Sequence, residues 1–302
     1  MQSMGGAQPG AERRTIRRAH PERNLEAALE AQDIAPEGAA LLVACSGGPD
    51  SVALASLIAR LAMRHRWRVM LAHVNHHLRD SSWQDEAIVV SVGARLALQV
   101  RVADLEPRKT GDDEGGLREA RYALLARLAE QSGAHAVLTG HVAEDQTETV
   151  LLALFRGTGM RGLRGIPVRR PLGPGIELVR PLLAFSHAAL RDELGASALP
   201  YVRDPSNTNA RYRRNALREA LAGLREGFPR LDEAVARCAA IVAAELEPGG
   251  RASARRKLRQ ALEREVGLRD VPFERIEAAL HARRGRVHIK DDVEIRIVRR
   301  AD

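Results

Sequence analysis

Residues 46–51 read Ser-Gly-Gly-Pro-Asp-Ser, directly after the apolar run Leu41–Cys45. A buried strand that breaks at paired glycines and feeds a helix over Val52–Arg64 aims backbone N–H groups at one point. The positive end of the helix dipole falls on the same point, so the turn suits a phosphate. Gly47, Gly48 and Pro49 shape the turn, and Ser46 and Ser51 add hydroxyl donors. Asp50 is an acid inside an anion site, which makes sense mainly if a metal ion shares that site. The loop is not the Walker type, which requires Gly-Lys; the three lysines are Lys109, Lys257 and Lys290, and none follows a glycine.

Four more groups carry chemistry. The run His73-Val74-Asn75-His76-His77-Leu78-Arg79 ends a second apolar stretch. His73 and His77 would share one face of a strand, but no third metal ligand is apparent. The better reading is a strand end that borders a nucleotide, with His73 and Asn75 turned toward it. In Glu114-Gly-Gly-Leu-Arg118-Glu-Ala-Arg121-Tyr122, Glu114, Arg118 and Arg121 lie on one side of a helix. The two arginines suit phosphate oxygens; an i,i+4 ion pair of Glu114 with Arg118 is the plain alternative. Thr139-Gly140-His141-Val142-Ala-Glu144-Asp145-Gln-Thr-Glu148 opens another helix. Asp145 and Glu148 are a carboxylate pair for Mg²⁺ or an amine, or simply an acidic first turn of the kind any helix favours. The turn Asp204-Pro-Ser-Asn207 precedes Arg211, Arg213, Arg214 and Arg218 around Tyr212, a plausible RNA-facing cluster or a solvated helix face.

Something must hold these groups together, and the pattern of apolar runs says what. Strands are expected at Leu41–Cys45, Arg68–Val74, Leu98–Leu105 and Ala134–Thr139. Helices are expected at Val52–Arg64, Trp83–Leu96, Leu117–Gln131 and Ala143–Phe155, with further helices at 186–194 and 211–224. This alternation predicts an α/β fold, a doubly wound parallel sheet with a small, mainly helical C-terminal domain. Ligands of such sheets sit beyond the carboxyl ends of the strands, where most of the motifs fall. Residues 156–181, rich in Gly and Pro, read as a long functional loop. The expected division is a disordered basic extension at 1–24, a catalytic domain at 25–225 and a small nucleic-acid-binding domain at 226–302, which ends in a strand pair near Arg286–Ile289 and Val293–Val298. In the small domain Arg251, Arg255, Arg256, Lys257, Arg259 and Arg264 face only Glu263 as counter-charge.

Composition narrows the function classes. The 302 residues are 45% hydrophobic, enough for a core, but only 3% aromatic, so that core is aliphatic. The net charge of +8 favours a polyanionic partner such as nucleic acid. Two cysteines, Cys45 and Cys238, exclude a disulfide framework, a four-cysteine zinc site and an all-cysteine iron–sulfur cluster. No apolar run is long enough to span a membrane, and a cytoplasmic location is expected.

In order along the chain, these residues resemble the tRNA(Ile)-lysidine synthetases of the N-type ATP pyrophosphatase (PP-loop) superfamily. The matching pieces are Ser46–Ser51, His73–His76 with Leu78-Arg79, Glu114…Arg118…Arg121-Tyr122, and Asp145-Gln146-x-Glu148-Thr149 with Leu151-Leu152. Arg156-Gly157-x-Gly159 with Gly162-Leu163, Arg180-Pro181-Leu182-Leu183, and Asp204–Asn207 leading to Arg214-Asn215 complete the set. Val142 departs from the usual second histidine, and Glu144 from the usual Asp. The chain is similar to forms with one small helical domain and no further C-terminal RNA-binding domain. The resemblance implies an ATP-dependent ligase, in the adenine nucleotide alpha hydrolase-like fold, that joins L-lysine to C2 of the wobble cytidine of a CAU-anticodon tRNA(Ile). It implies ATP contacts at Ser46–Ser51, His73, Asn75, Gly140 and His141, with Asp50, Arg118, Arg121, Asp145 and Glu148 catalytic and Mg²⁺ on Asp50. With such a substrate, the arginine clusters place the expected tRNA contacts at Arg211, Arg213, Arg214, Arg218, Arg255, Arg256 and Lys257, and a homodimer is possible. Two other readings stay open: a PP-loop tRNA thiolase, and an inactive tRNA-binding protein.

Overall fold

The computed structural model describes residues 21–30, 34–77, 82–105, 114–202, 213–246, 251–266, 271, 273–281, 284–290 and 293–298. Leu78-Arg79, the 204–209 turn and Arg211 lie outside the described residues, as do the side chains of Arg213 and Arg256.

The chain starts with α1 (Pro21–Glu30), β1 (Ala40–Ala44), α2 (Pro49–His65), β2 (Arg68–Asn75), α3 (Ser82–Leu96), β3 (Gln99–Asp104), α4 (Glu114–Ser132), β4 (Ala136–Thr139) and α5 (Ala143–Phe155). It continues through the single turn α6 (Met160–Leu163), β5 (Arg169–Gly173), β6 (Ile176–Val179), α7 (His187–Ser197), α8 (Arg213–Gly227), α9 (Leu231–Leu246), α10 (Arg251–Val266), α11 (Phe273–His281), β7 (Arg284–Lys290) and β8 (Val293–Val298). Six strands form one sheet in the order β3-β2-β1-β4-β6-β5; every neighbouring pair is parallel except β5 with β6. β1 is central and alternates strictly. Leu41 and Val43 pack with α1, α2 and α7, while Leu42 packs on the opposite face among Leu125, Leu128 and Ala129 of α4. A strand with helices on both faces needs apolar residues at every position, which is what Leu-Leu-Val supplies. The sheet reverses direction of growth at β1, between β2 and β4. That leaves a crevice at their carboxyl ends, where doubly wound sheets hold ligands.

Two expectations are corrected. The expected extension over 1–24 ends too late, because 21–24 belong to α1, where Glu22 reaches Arg60 and Arg64 of α2 at 2.9 Å each; residues 1–20 lie outside the described residues. The expected loop over 156–181 contains α6 and the hairpin β5–β6, and β6 continues the sheet beside β4. Pro171 sits in β5, at the sheet's edge, where a residue without an N–H is tolerated; Gly175 turns the hairpin at φ +67°. Beyond α8, α9 packs on α5 and α6 as well as on α10. A small core of Leu262, Val271, Ile276, Ala279 and Ile289 joins α10, α11 and the β7–β8 pair. We propose the turn between α8 and α9 as the division between the two units. Among the described residues no helix is long and apolar enough to cross a membrane.

Candidate active site

The 46–51 loop is tied to itself before it touches anything else. Ser51 Oγ donates to the Gly48 carbonyl at 2.9 Å and accepts from the Ser46 N–H at 3.2 Å; the two serine hydroxyls lie 3.2 Å apart. Gly47 adopts φ +87°, a region that favours glycine, and its carbonyl accepts from the Val202 N–H at 2.8 Å. Gly48 caps α2 with Pro49 in its first turn, so the free N–H groups of the helix start point out past the loop. Gly140, on the β4–α5 turn, comes so close that a Cβ there would stand 3.1 Å from the Asp50 backbone. The two turns are therefore fitted against each other at the crevice.

There they border a cavity of about 770 Å³. Ser46, Gly48, Pro49, Asp50 and Ser51 line it from β1–α2. Gly140, His141 and Asp145 line it from β4–α5, and Arg118 and Arg121 from α4. All were expected from the sequence, and the fold brings them together. Gly47 shapes the loop without lining the cavity.

His73 and Asn75 are not in it. Strand β2 alternates, so Val74 and, just past its end, His76 face the cavity while His73 and Asn75 are buried in other contacts. His73 Nδ1 lies 3.0 Å from the Cys45 carbonyl, and Asn75 Oδ1 accepts from the His77 N–H at 3.1 Å. The expected nucleotide contact of these two side chains is thus corrected by one position. His77 pairs with Asp104 at 2.7 Å rather than with His73.

Glu148 is also displaced from its expected role. It is 1% exposed, does not border the cavity, and receives Arg218 Nε at 2.5 Å, with Arg214 Nε at 3.2 Å. Arg214 and Arg218, expected on an RNA-facing surface, instead line the cavity, and Arg218 also lies 3.5 Å from Asp145. Arg255 is likewise corrected: it is buried against Glu245 at 3.5 Å. Lys257 is exposed.

Sequence reasoning missed His187 and Arg191, which reach the cavity from α7. Ser186 caps that helix by accepting from the Ala189 N–H at 3.3 Å, and His187 Nδ1 then lies 2.9 Å from Asp50 Oδ1. The i,i+4 spacing of His187 and Arg191 behind a serine cap was the only available signal. Glu144 accepts from the His187 N–H at 2.9 Å. Val142 is fully buried, and its N–H donates to Asp145 Oδ2 at 3.1 Å, so the departure at this position still starts α5 with a capped turn.

Electrostatics divide the histidines. Burial opposes the charged form of His187, but the hydrogen bond and charge of Asp50 outweigh it and raise its pKa. Burial lowers His76 to about 4, with Arg121 adding to the effect. Burial also lowers His141, against the pull of Asp145 and with Arg180, Arg121 and Arg118 reinforcing it. At neutral pH the cavity presents His76 and His141 uncharged beside several fixed guanidinium groups. Such a lining accepts a polyphosphate, while Asp50 and Asp145 offer oxygen ligands for a cation.

Residues 18–224 match the family described as PP-loop domain. The chain is 42% identical over 216 residues to a tRNA(Ile)-lysidine synthase of Salinispora arenicola, covering 70% of this chain and 64% of that one. It is 36% identical over 230 residues to that of Gloeobacter violaceus, covering 74% of this chain and 68% of that one. Against the synthase of Symbiobacterium thermophilum the match spans only 41% of the relative. The fold is similar to that of a U34-tRNA thiolase of Methanococcus maripaludis with its [4Fe-4S] cluster, at TM-score 0.64 and 15% identity, covering 75% of this chain and 78% of that one.

Proposed function

Because the chain belongs to the PP-loop family, and within it to the tRNA(Ile)-lysidine synthases, we propose that it joins L-lysine to C2 of the wobble cytidine of a CAU-anticodon tRNA(Ile) at the expense of ATP. The observation that carries this reading is the convergence of the 46–51 loop, Arg118, Arg121 and Asp145 on one cavity at the crevice of the sheet.

In the first step the 2-carbonyl oxygen of cytidine attacks the α-phosphorus of ATP, and pyrophosphate leaves. The helix-start N–H groups and Ser46 and Ser51 hold the phosphates. Arg118 and Arg121 oppose the charge that grows on the leaving group. Mg²⁺ fits the donor set, since Asp50 and Asp145 are the carboxylates that line the cavity and hard oxygen ligands suit that ion. When bound it neutralises phosphate oxygens. In the second step the lysine ε-amine attacks C2 and AMP leaves with the oxygen. Asp145 is the group we assign to the lysine ammonium before it loses its proton. Glu148 acts through Arg214 and Arg218, which it holds at the cavity wall. The target base must leave its stack to enter, which an anticodon loop permits.

A thiolase reading is less well supported. Cys45 is buried at the end of β1 and Cys238 is exposed on α9, and two cysteines do not supply the ligands of a [4Fe-4S] cluster.

Transfer of radiolabelled lysine with ATP and Mg²⁺ tests the proposal. Label should enter CAU-anticodon tRNA(Ile) and not a methionine tRNA with the same anticodon. Asp50→Asn should lower turnover by roughly 10²–10³-fold while tRNA binding persists. Pyrophosphate release without label transfer would leave activation intact and reject lysine as the nucleophile. Full activity in the Asp50 variant would reject the assignment of that residue.

A further inference from the structure

Tyr122 lies one turn into α4 beyond Arg118, and four arginines surround it. The guanidinium carbons of Arg118, Arg121 and Arg170 stand 5.5, 5.4 and 4.7 Å from its ring centroid. Arg118 Nη2 donates to its hydroxyl at 3.5 Å, and Arg180 adds its charge beside the same phenol. Arg180 itself is 1% exposed, donates through one terminal nitrogen to the Pro167 carbonyl at 2.7 Å, and leaves Nε without an acceptor among the described residues. Among the described residues no carboxylate pairs with Arg118, Arg121 or Arg170, whereas the adjacent Arg169 is matched by Glu177 at 2.7 Å. Like charges gathered round one ring repel, and cation–π attraction offsets that only in part. The site answers by polarising its own phenol: burial opposes ionisation of Tyr122, but Arg180, Arg118 and Arg121 overcome it and bring the pKa down to about 8. A cluster so arranged is built for an anion that is not part of the chain.

Two of the four, Arg118 and Arg121, line the nucleotide cavity; Arg170 does not, and stands instead on β5, the edge strand of the sheet. The positive charge therefore runs from the cavity wall out to the molecular edge. A free nucleotide ends inside the cavity. A polynucleotide whose base is inserted there must carry its backbone away across the rim, with one phosphate charge per nucleotide. We infer that Arg170, held beside Arg121 by the Tyr122 ring, forms a binding subsite for an RNA phosphodiester flanking the nucleotide under modification, distinct from the ATP phosphate contacts. This rests on the proposed function and deepens it. Tyr122 is a positioning residue in this arrangement, fixing the directions of the guanidinium groups that flank it.

The test is equilibrium binding of tRNA(Ile) across a salt series, with ATP affinity measured separately on the same full-length preparations. Arg170→Gln should weaken tRNA binding several-fold. It should also make the slope of log K against log salt shallower by roughly 0.7–0.9, the value of one phosphate contact, with ATP affinity within twofold of wild type. Arg170→Lys should restore most of the slope. An unchanged slope and affinity in Arg170→Gln overturns the subsite. A parallel loss of ATP affinity overturns it too, because the arginine would then serve the nucleotide. If the wild-type protein binds tRNA with no salt dependence, the reading beneath fails and the subsite falls with it.

Discussion

Asp50 has two partners to satisfy. In the structure it faces His187 at 2.9 Å, and in the proposed reaction it faces a cation beside the phosphates. When protonated, the histidine puts a positive charge beside Asp50. Its raised pKa follows from Asp50 against the cost of burial, so the contact stabilises the fold at low pH and fades as pH rises through the elevated value. His187→Ala should therefore cost roughly 0.5–1 kcal/mol, as a partly exposed pair does, at pH below about 6. The pH-dependent part of that loss should vanish on the alkaline side, read as the gap between wild-type and variant Tm across a pH series. A gap that widens with pH would contradict the assignment. This pair was not legible in the sequence, because the partners are separated by 137 positions and meet only through packing of α7 on α2. The place of Asp50 at the cavity was legible, since it belongs to the six-residue loop that lines it. His73 and Asn75 were misread by one position. Strand alternation was clear, but which of the two faces met the cavity depended on the helix packed against it.

At the scale of elements, the joint between α5 and α8 matters most. Glu148 is buried on α5, and Arg214 and Arg218 of α8 close over it while about one-third exposed themselves, at 29% and 35%. A buried carboxylate is tolerable only with such partners, and removal of one member strands the others. Glu148→Gln keeps the shape and removes the charge. We expect a stability loss of about 2–3 kcal/mol in urea unfolding, below the fully buried range because the arginines retain some water. Turnover should fall with it, since the same arginines line the cavity. A loss under about 0.5 kcal/mol, the level of an ordinary surface change, would show that α8 docks without this joint. Sequence spacing put Asp145 and Glu148 on one side of a helix, and that was right. It did not reveal that the side chain one turn further in is covered by a distant helix. The hairpin β5–β6 was hidden for a different reason: Pro171, Gly173, Pro174 and Gly175 read as loop in any local scale, and only the vacant edge of β4 makes strands of their neighbours.

The whole molecule joins an aliphatic doubly wound body, whose crevice holds the cavity, to a basic, mainly helical part carried on α9. Recognition of an RNA much larger than the cavity requires charge far from it. The exposed cations of α10, Lys257, Arg259 and Arg264, are suited to that, because Leu258 and Leu262 turn inward and hold the helix while these stay in water. Arg255, on the inward side, is spent on Glu245 and drops out of the set. We expect the triple change Lys257→Glu, Arg259→Glu and Arg264→Glu to weaken tRNA binding at least tenfold at low salt and to flatten the salt slope by up to about 2. Cytidine adenylation on a saturating short anticodon stem-loop should persist, since none of the three borders the cavity. The pairing of outcomes separates two ways in which a basic protein holds RNA. If the slope is unchanged on full-length tRNA, α10 is an ordinary solvated helix, and the affinity resides in the arginines around Tyr122 and the crevice. If the slope flattens for full-length tRNA and not for the stem-loop, α10 grips the RNA beyond the anticodon arm. The two basic regions then divide the molecule between them, one holding the substrate's body and the other its reacting loop.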